Sequence, residues 1–183
     1  MLIFPFTIIH ELSHCFALGC FFPGKEAQIE FHLFDNGITY ANVKFESLPL
    51  CLGSVMSLII GPLSVLTLCI LGIIMLKQYP SSNLSKTTSN FLKFVLLCDF
   101  PNLFPIHPPM INAVTDGYAA SVYLFQMGVV PFISTELSII LYMIAAIISF
   151  TSFFYLGTSV YFLLQHFKVL VLKDERNFHP QLA

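Results

Sequence analysis

The chain has 183 residues, a formal net charge of −2, 56% hydrophobic residues and only 10% charged ones. A charged content this far below the near-quarter of soluble globular chains, with a mean hydropathy of +0.82, predicts a single-domain, multi-pass integral membrane protein. The slight negative charge and the lack of a basic block exclude nucleic acid as an expected partner.

In chain order, residues 1–22 form an apolar run of 22 residues, about 33 Å as a helix and enough to cross the hydrocarbon core. No Lys or Arg precedes Lys25, so the basic n-region of a cleaved signal is missing and the run is expected to stay attached. His10, Glu11 and His14 interrupt it. On a helix the two imidazoles share one face, with the carboxylate about 100° round from His10. His-Glu-x-x-His on a helix is the pattern of zinc hydrolases, in which the histidines ligate and the glutamate works as general base. With six His and six Glu in the chain, chance placement gives roughly 0.006 matches. Ionisable groups at membrane depth are also costly unless they have a task.

Residues 25–47 change to period two and predict a β-hairpin: 28–34 outward, Asp35-Asn36-Gly37 as the turn, and 38–45 returning with a bulge near Ala41-Asn42. Residues 48–76 form a second span with a kink expected at Gly61-Pro62, where Gly61 also allows close backbone approach. Residues 78–90 read as a polar loop. Residues 91–131 are apolar but broken by Pro101, Pro105, Pro108 and Pro109. Irregular backbone at that depth survives only beside protein or water, so this segment is expected to line a cavity with Asp99, Asn102, His107, Asn112 and Asp116. Residues 136–166 give the last span and 167–183 a tail. The fold class expected is all-α, with four to five transmembrane helices and a β-hairpin between the first two. If residues 91–131 cross once, Lys77, Lys86, Lys93, Lys168, Lys173 and Arg176 share one side, which would be cytoplasmic. The five cysteines follow no metal-finger spacing and read as small hydrophobes.

Two histidines leave a catalytic zinc one protein ligand short. The metzincin extension fails, because Ala17 and Cys20 stand where Gly and His are required. Asp116, followed by Gly117 at a helix start, is the best remaining carboxylate, with His107 and Asp99 behind it. Zinc against Glu11 and Asp116 sums to zero charge, which eases the placing of acids in a bilayer.

HELSH in the first span, Gly61-Pro62-Leu63 in the second, and NLFP followed by TDG in the third resemble the site-2 protease family of intramembrane zinc metalloproteases. The resemblance covers residues 6–130. It implies Zn²⁺ held by His10, His14 and Asp116, with Glu11 as base. It also implies substrate contact through Asn102, Pro105 and Gly117, and a hairpin in place of the substrate-pairing element. The partners implied are the lipid bilayer and a transmembrane protein substrate. Asn102 and Asp116 stand further apart than in the compact family arrangement, and nine residues precede the motif, as in a minimal member or an incomplete gene model. The alternative from another class is a catalytically inactive membrane scaffold of the same fold that binds transmembrane helices; a metal transporter would spread its ligands along a path.

Overall fold

The structure is a computed structural model and describes residues 4–35, 38–45, 47–79, 82–106 and 115–178. His107, Pro108, Pro109 and Asn112 lie outside the described residues. The chain is mostly helical: α1 (Phe4–Phe21), a hairpin of β1 (Ala27–Asp35) and β2 (Ile38–Phe45), α2 (Leu52–Lys77), α3 (Asn83–Asp99), a 3₁₀ turn (Phe100–Leu103), α4 (Asp116–Gln126) and α5 (Thr135–Phe178). Two stretches are long and apolar enough to cross a membrane, Leu52–Lys77 and Thr135–Lys168. The shorter α1, which carries the three ionisable residues of the motif, is not one of them.

Gly24, at φ +91°, reverses the chain after α1 and leads into the hairpin. The strands pair antiparallel from Ala27 with Phe45 to His32 with Tyr40, and the register shifts only between His32 and Asp35. The bulge expected at Ala41-Asn42 is therefore absent: those two residues pair in step with Phe31 and Glu30, and the irregularity sits beside the turn instead. The even-numbered Ile38 and Tyr40 suggested a change of parity, but register follows the odd set, in which Ile29 meets Val43 and Ala27 meets Phe45.

Helix α2 runs unbroken through Pro62, so the expected kink does not interrupt it. Helix α3 starts inside the stretch read as a loop. Ser82 caps it by accepting the Ser85 N–H at 3.1 Å, and Thr87 and Thr88 turn their hydroxyls back onto the carbonyls of Asn83 and Leu84. Hydroxyls satisfied in this way let a loop-like composition remain helical. Likewise α5 continues past residue 166 into the expected tail, as far as Phe178.

Helix α2 is central, in contact with α1, α3 and α4, while α5 packs on α3. Val65 and Cys69 of α2 meet Phe94 and Val95 of α3 in the buried core, with Phe6 and Ile9 of α1 against it. Among the described side chains of α5, the buried positions are small and recur every seventh residue: Ser138, Ala145, Ser152 and Ser159. Small residues at that spacing let two backbones approach along one seam. Ser159 donates to the Thr87 carbonyl at 2.9 Å and Ser152 Oγ lies 3.4 Å from Cys98 Sγ, so α3 and α5 run antiparallel. Ser152 is fully buried. Ser152→Leu should destabilise the fold by about 1–3 kcal/mol through overpacking, read as earlier thermal unfolding in detergent, whereas the exposed Val160→Leu should change little.

Candidate metal centre

His10 and His14 lie one turn apart on the buried face of α1, with Glu11 between them; their exposures are 7%, 5% and 7%. Each ring is fixed through Nδ1. His14 Nδ1 is 2.6 Å from the Ser57 carbonyl. A carbonyl only accepts, so Nδ1 carries a proton and Nε2 is the ring nitrogen turned toward the cluster. His10 Nδ1 lies 3.2 Å from Asp99 Oδ1. Both Nε2 atoms then face one carboxylate: His10 Nε2 is 3.0 Å from Asp116 Oδ2, and His14 Nε2 is 3.5 Å from Asp116 Oδ1.

Helix α4 delivers that carboxylate. Thr115 caps it, accepting the Tyr118 N–H at 3.2 Å and donating to the Phe104 carbonyl at 2.6 Å. Asp116 is thereby set on the first helical residue, where the dipole favours an anion. Gly117 makes the approach possible, since a Cβ there would collide with the Leu103 carbonyl and lie 2.8 Å from the Phe104 carbonyl carbon. On the opposite side, Gly61 brings the α2 backbone flush against the imidazoles. A Cβ at Gly61 would collide with His14 Nε2 and lie 2.7 Å from His10 Cδ2. A pair of hydroxyls, Ser13 Oγ and Ser64 Oγ, 2.7 Å apart, ties α1 to α2 beside this contact.

The donor atoms of His10, His14 and Asp116 all lie within 4.8 Å of one another, so the three can hold a metal ion. A tetrahedral zinc with ligands at about 2.0–2.1 Å requires donors roughly 3.3 Å apart; the contacts of 3.0 and 3.5 Å run to the two different oxygens of Asp116, and the three donors would draw together around an ion. With the Nε2 protons displaced by an incoming ion, two imidazole nitrogens and one carboxylate oxygen would form a donor set of the catalytic zinc type, leaving a position for water. Glu11 stands outside the cluster but within electrostatic reach of His10, His14 and Asp116.

The structure brings His10, His14 and Asp116 together, with Glu11 buried beside His10 on α1. Asp99 falls on the outer side of His10 and not among the three clustered donors. The Asn102 Nδ2 group donates to Asp99 Oδ1 at 2.9 Å. Pro105 is half-buried just beyond the 3₁₀ turn, and Gly117 is packed on backbone. Two parts of the site had no sequence signal of their own kind. The Ser57 carbonyl is a backbone group that any residue supplies, and Asp99 was visible only as a carboxylate in an apolar run. Asp99 also alters the charge count, because zinc would face three carboxylates where the sequence counted two.

Alanine is the better helix former by about 1 kcal/mol, so helix propensity alone favours Gly61→Ala. The contact with His14 predicts the reverse where it matters: a loss of metal affinity of at least about ten-fold in a chelator competition, comparable to disturbing a ligand's supporting shell. No protein-family model, curated protein or solved structure matches the chain.

Proposed function

We propose that this chain is a zinc-dependent intramembrane endopeptidase of the site-2 protease type, cutting a transmembrane or membrane-proximal peptide segment. The observation that carries the reading is the convergence of Asp116, from a helix beyond the broken segment, on both imidazoles of His-Glu-x-x-His. In this reading α1, α2, the α3–α4 segment and α5 make a multi-pass bundle. By helix rise, Gly61 lies about 14 Å from the start of α2 and about 24 Å from its end, which puts the cluster inside the hydrocarbon layer.

When bound, zinc lowers the pKa of water to about 7 and polarises the scissile carbonyl. His10 and His14 would hold the ion through Nε2, and Asp116 would supply the third protein ligand. Glu11, one residue from His10, accepts the proton from the attacking water and passes it to the leaving amine. Burial on α1 keeps Glu11 from competing solvent. A helical substrate conceals its peptide bonds, so it must be drawn out before cutting. Among the described residues the sheet consists of β1 and β2 alone, and its outer edges offer backbone groups for pairing with an extended segment.

Three variants separate the roles. Glu11→Gln should retain one zinc per chain and lose cleavage of a reconstituted transmembrane substrate by a factor of about 10² or more. His10→Ala and Asp116→Asn should lose the zinc itself, measured by elemental analysis of the purified chain. Cleavage by Glu11→Gln at the wild-type rate would defeat the mechanism. A wild-type chain that captures helices without cutting them would favour the scaffold.

A further inference from the structure

We infer that Asp99 is a positioning residue for the metal, acting through His10. This rests on the metal reading of the His10, His14 and Asp116 cluster, though not on proteolysis. Asp99 Oδ1 takes two donors, His10 Nδ1 at 3.2 Å and Asn102 Nδ2 at 2.9 Å. Its other oxygen is buried and has no hydrogen-bond partner among the described residues. A carboxylate kept only for packing would not leave one oxygen unsatisfied, since a buried orphan acceptor is costly. Cationic charge on the far side of the His10 ring offsets that cost, and a metal at Nε2 supplies it. In return, the carboxylate fixes the ring with its proton on Nδ1, aims the Nε2 lone pair at the cluster and raises its basicity. Asn102, at the end of the same turn, holds the carboxylate in place. The amide at 102 thus acts on the metal site through two intervening groups, whatever else it touches.

The test is zinc affinity of the full chain in detergent, by chelator competition. Asp99→Asn keeps an acceptor but loses the charge, and should bind zinc about 10–100-fold more weakly; Asp99→Ala should be weaker again. Cobalt(II) substitution should give altered visible bands in both. If either Asp99 variant loses helical content by circular dichroism, Asn102→Ala decides, with a smaller but measurable loss of affinity. Affinities equal to wild type in the folded variants would overturn the inference. Graded zinc binding in a chain that cuts nothing would defeat the peptidase reading and leave this one standing.

An independent observation at the other end of α2 carries a second proposal. A cavity of about 300 Å³ opens between the end of α2, the start of α3 and α5, lined by Lys77, Lys86 and Lys93 with Ser85, Ser89 and Asn90. No carboxylate lines it among the described residues, so three lysines border one concavity without a counter-charge in its described lining. Lys86 and Lys93 are held over aromatic rings of α5, 5.4 Å from the Phe162 centroid and 5.3 Å from that of Tyr155. Leu76 and Phe162 add an apolar wall. Lys77 closes α2, one of the two helices able to cross a membrane, so in the bundle proposed above the cavity lies at headgroup level. We propose that it binds the phosphate of an anionic glycerophospholipid, with the acyl chains running down α2 and α5.

The full chain in nanodiscs of phosphatidylcholine, with and without phosphatidylglycerol, provides the test. Native mass spectrometry should find phosphatidylglycerol retained by wild type. The triple variant K77Q/K86Q/K93Q should lose affinity about 100-fold, as three cationic contacts are removed. Equal retention by the triple variant would overturn the site. Equal thermal stabilisation by millimolar inorganic phosphate in phosphatidylcholine discs would overturn the lipid as occupant.

Discussion

Two hydrogen bonds on the outer sides of the imidazoles set the character of this molecule. His14 Nδ1 on the Ser57 carbonyl and His10 Nδ1 on Asp99 leave both Nε2 atoms facing the same point. Without them, His10 and His14 would be two buried rings able to rotate, and Asp116 would have no fixed target. With them, three helices are committed to one another: α1 carries the rings, α2 gives the carbonyl, and α3 gives the carboxylate that orients His10. The metal reading therefore depends less on the presence of His-Glu-x-x-His than on what fixes the undersides of its rings.

The backbone is shaped to permit that arrangement. Gly61 and Gly117 occupy the two places where a Cβ would intrude, one against the imidazoles and one against the 3₁₀ turn. Thr115 joins the end of the broken segment to the start of α4, holding the Phe104 carbonyl while it caps the helix. Away from the site, α5 adds a seam of Ser138, Ala145, Ser152 and Ser159 that fastens it to α3. A rigid α3 matters because Asp99 is its last residue.

Much of this was legible in the sequence where side-chain chemistry carried the signal. The motif placed His10, Glu11 and His14, and the Thr-Asp-Gly helix start singled out Asp116. Gly61 was flagged as a point of close approach, which the structure locates against the imidazoles. Failures arose where composition imitated something else. Ser, Thr and Asn in residues 83–90 resembled a loop because such side chains can compete with the backbone, yet here Thr87 and Thr88 bond back along α3 and the helix runs through them. The hairpin bulge was inferred from alternation alone, whereas pairing with β1 fixed the register. Asp99 was weighed as a ligand because charge shows in a sequence and direction does not: its partner is Nδ1 of His10, on the side away from the cluster.

The central claim is that an ion held here is bound by two imidazole nitrogens and carboxylate oxygen, with no thiolate. X-ray absorption at the zinc edge of the loaded, full-length chain tests it most directly. The account predicts a first shell of nitrogen and oxygen at about 2.0–2.1 Å with the outer-shell scattering of two imidazoles. A sulfur shell at about 2.3 Å, or the absence of imidazole scattering, would contradict it.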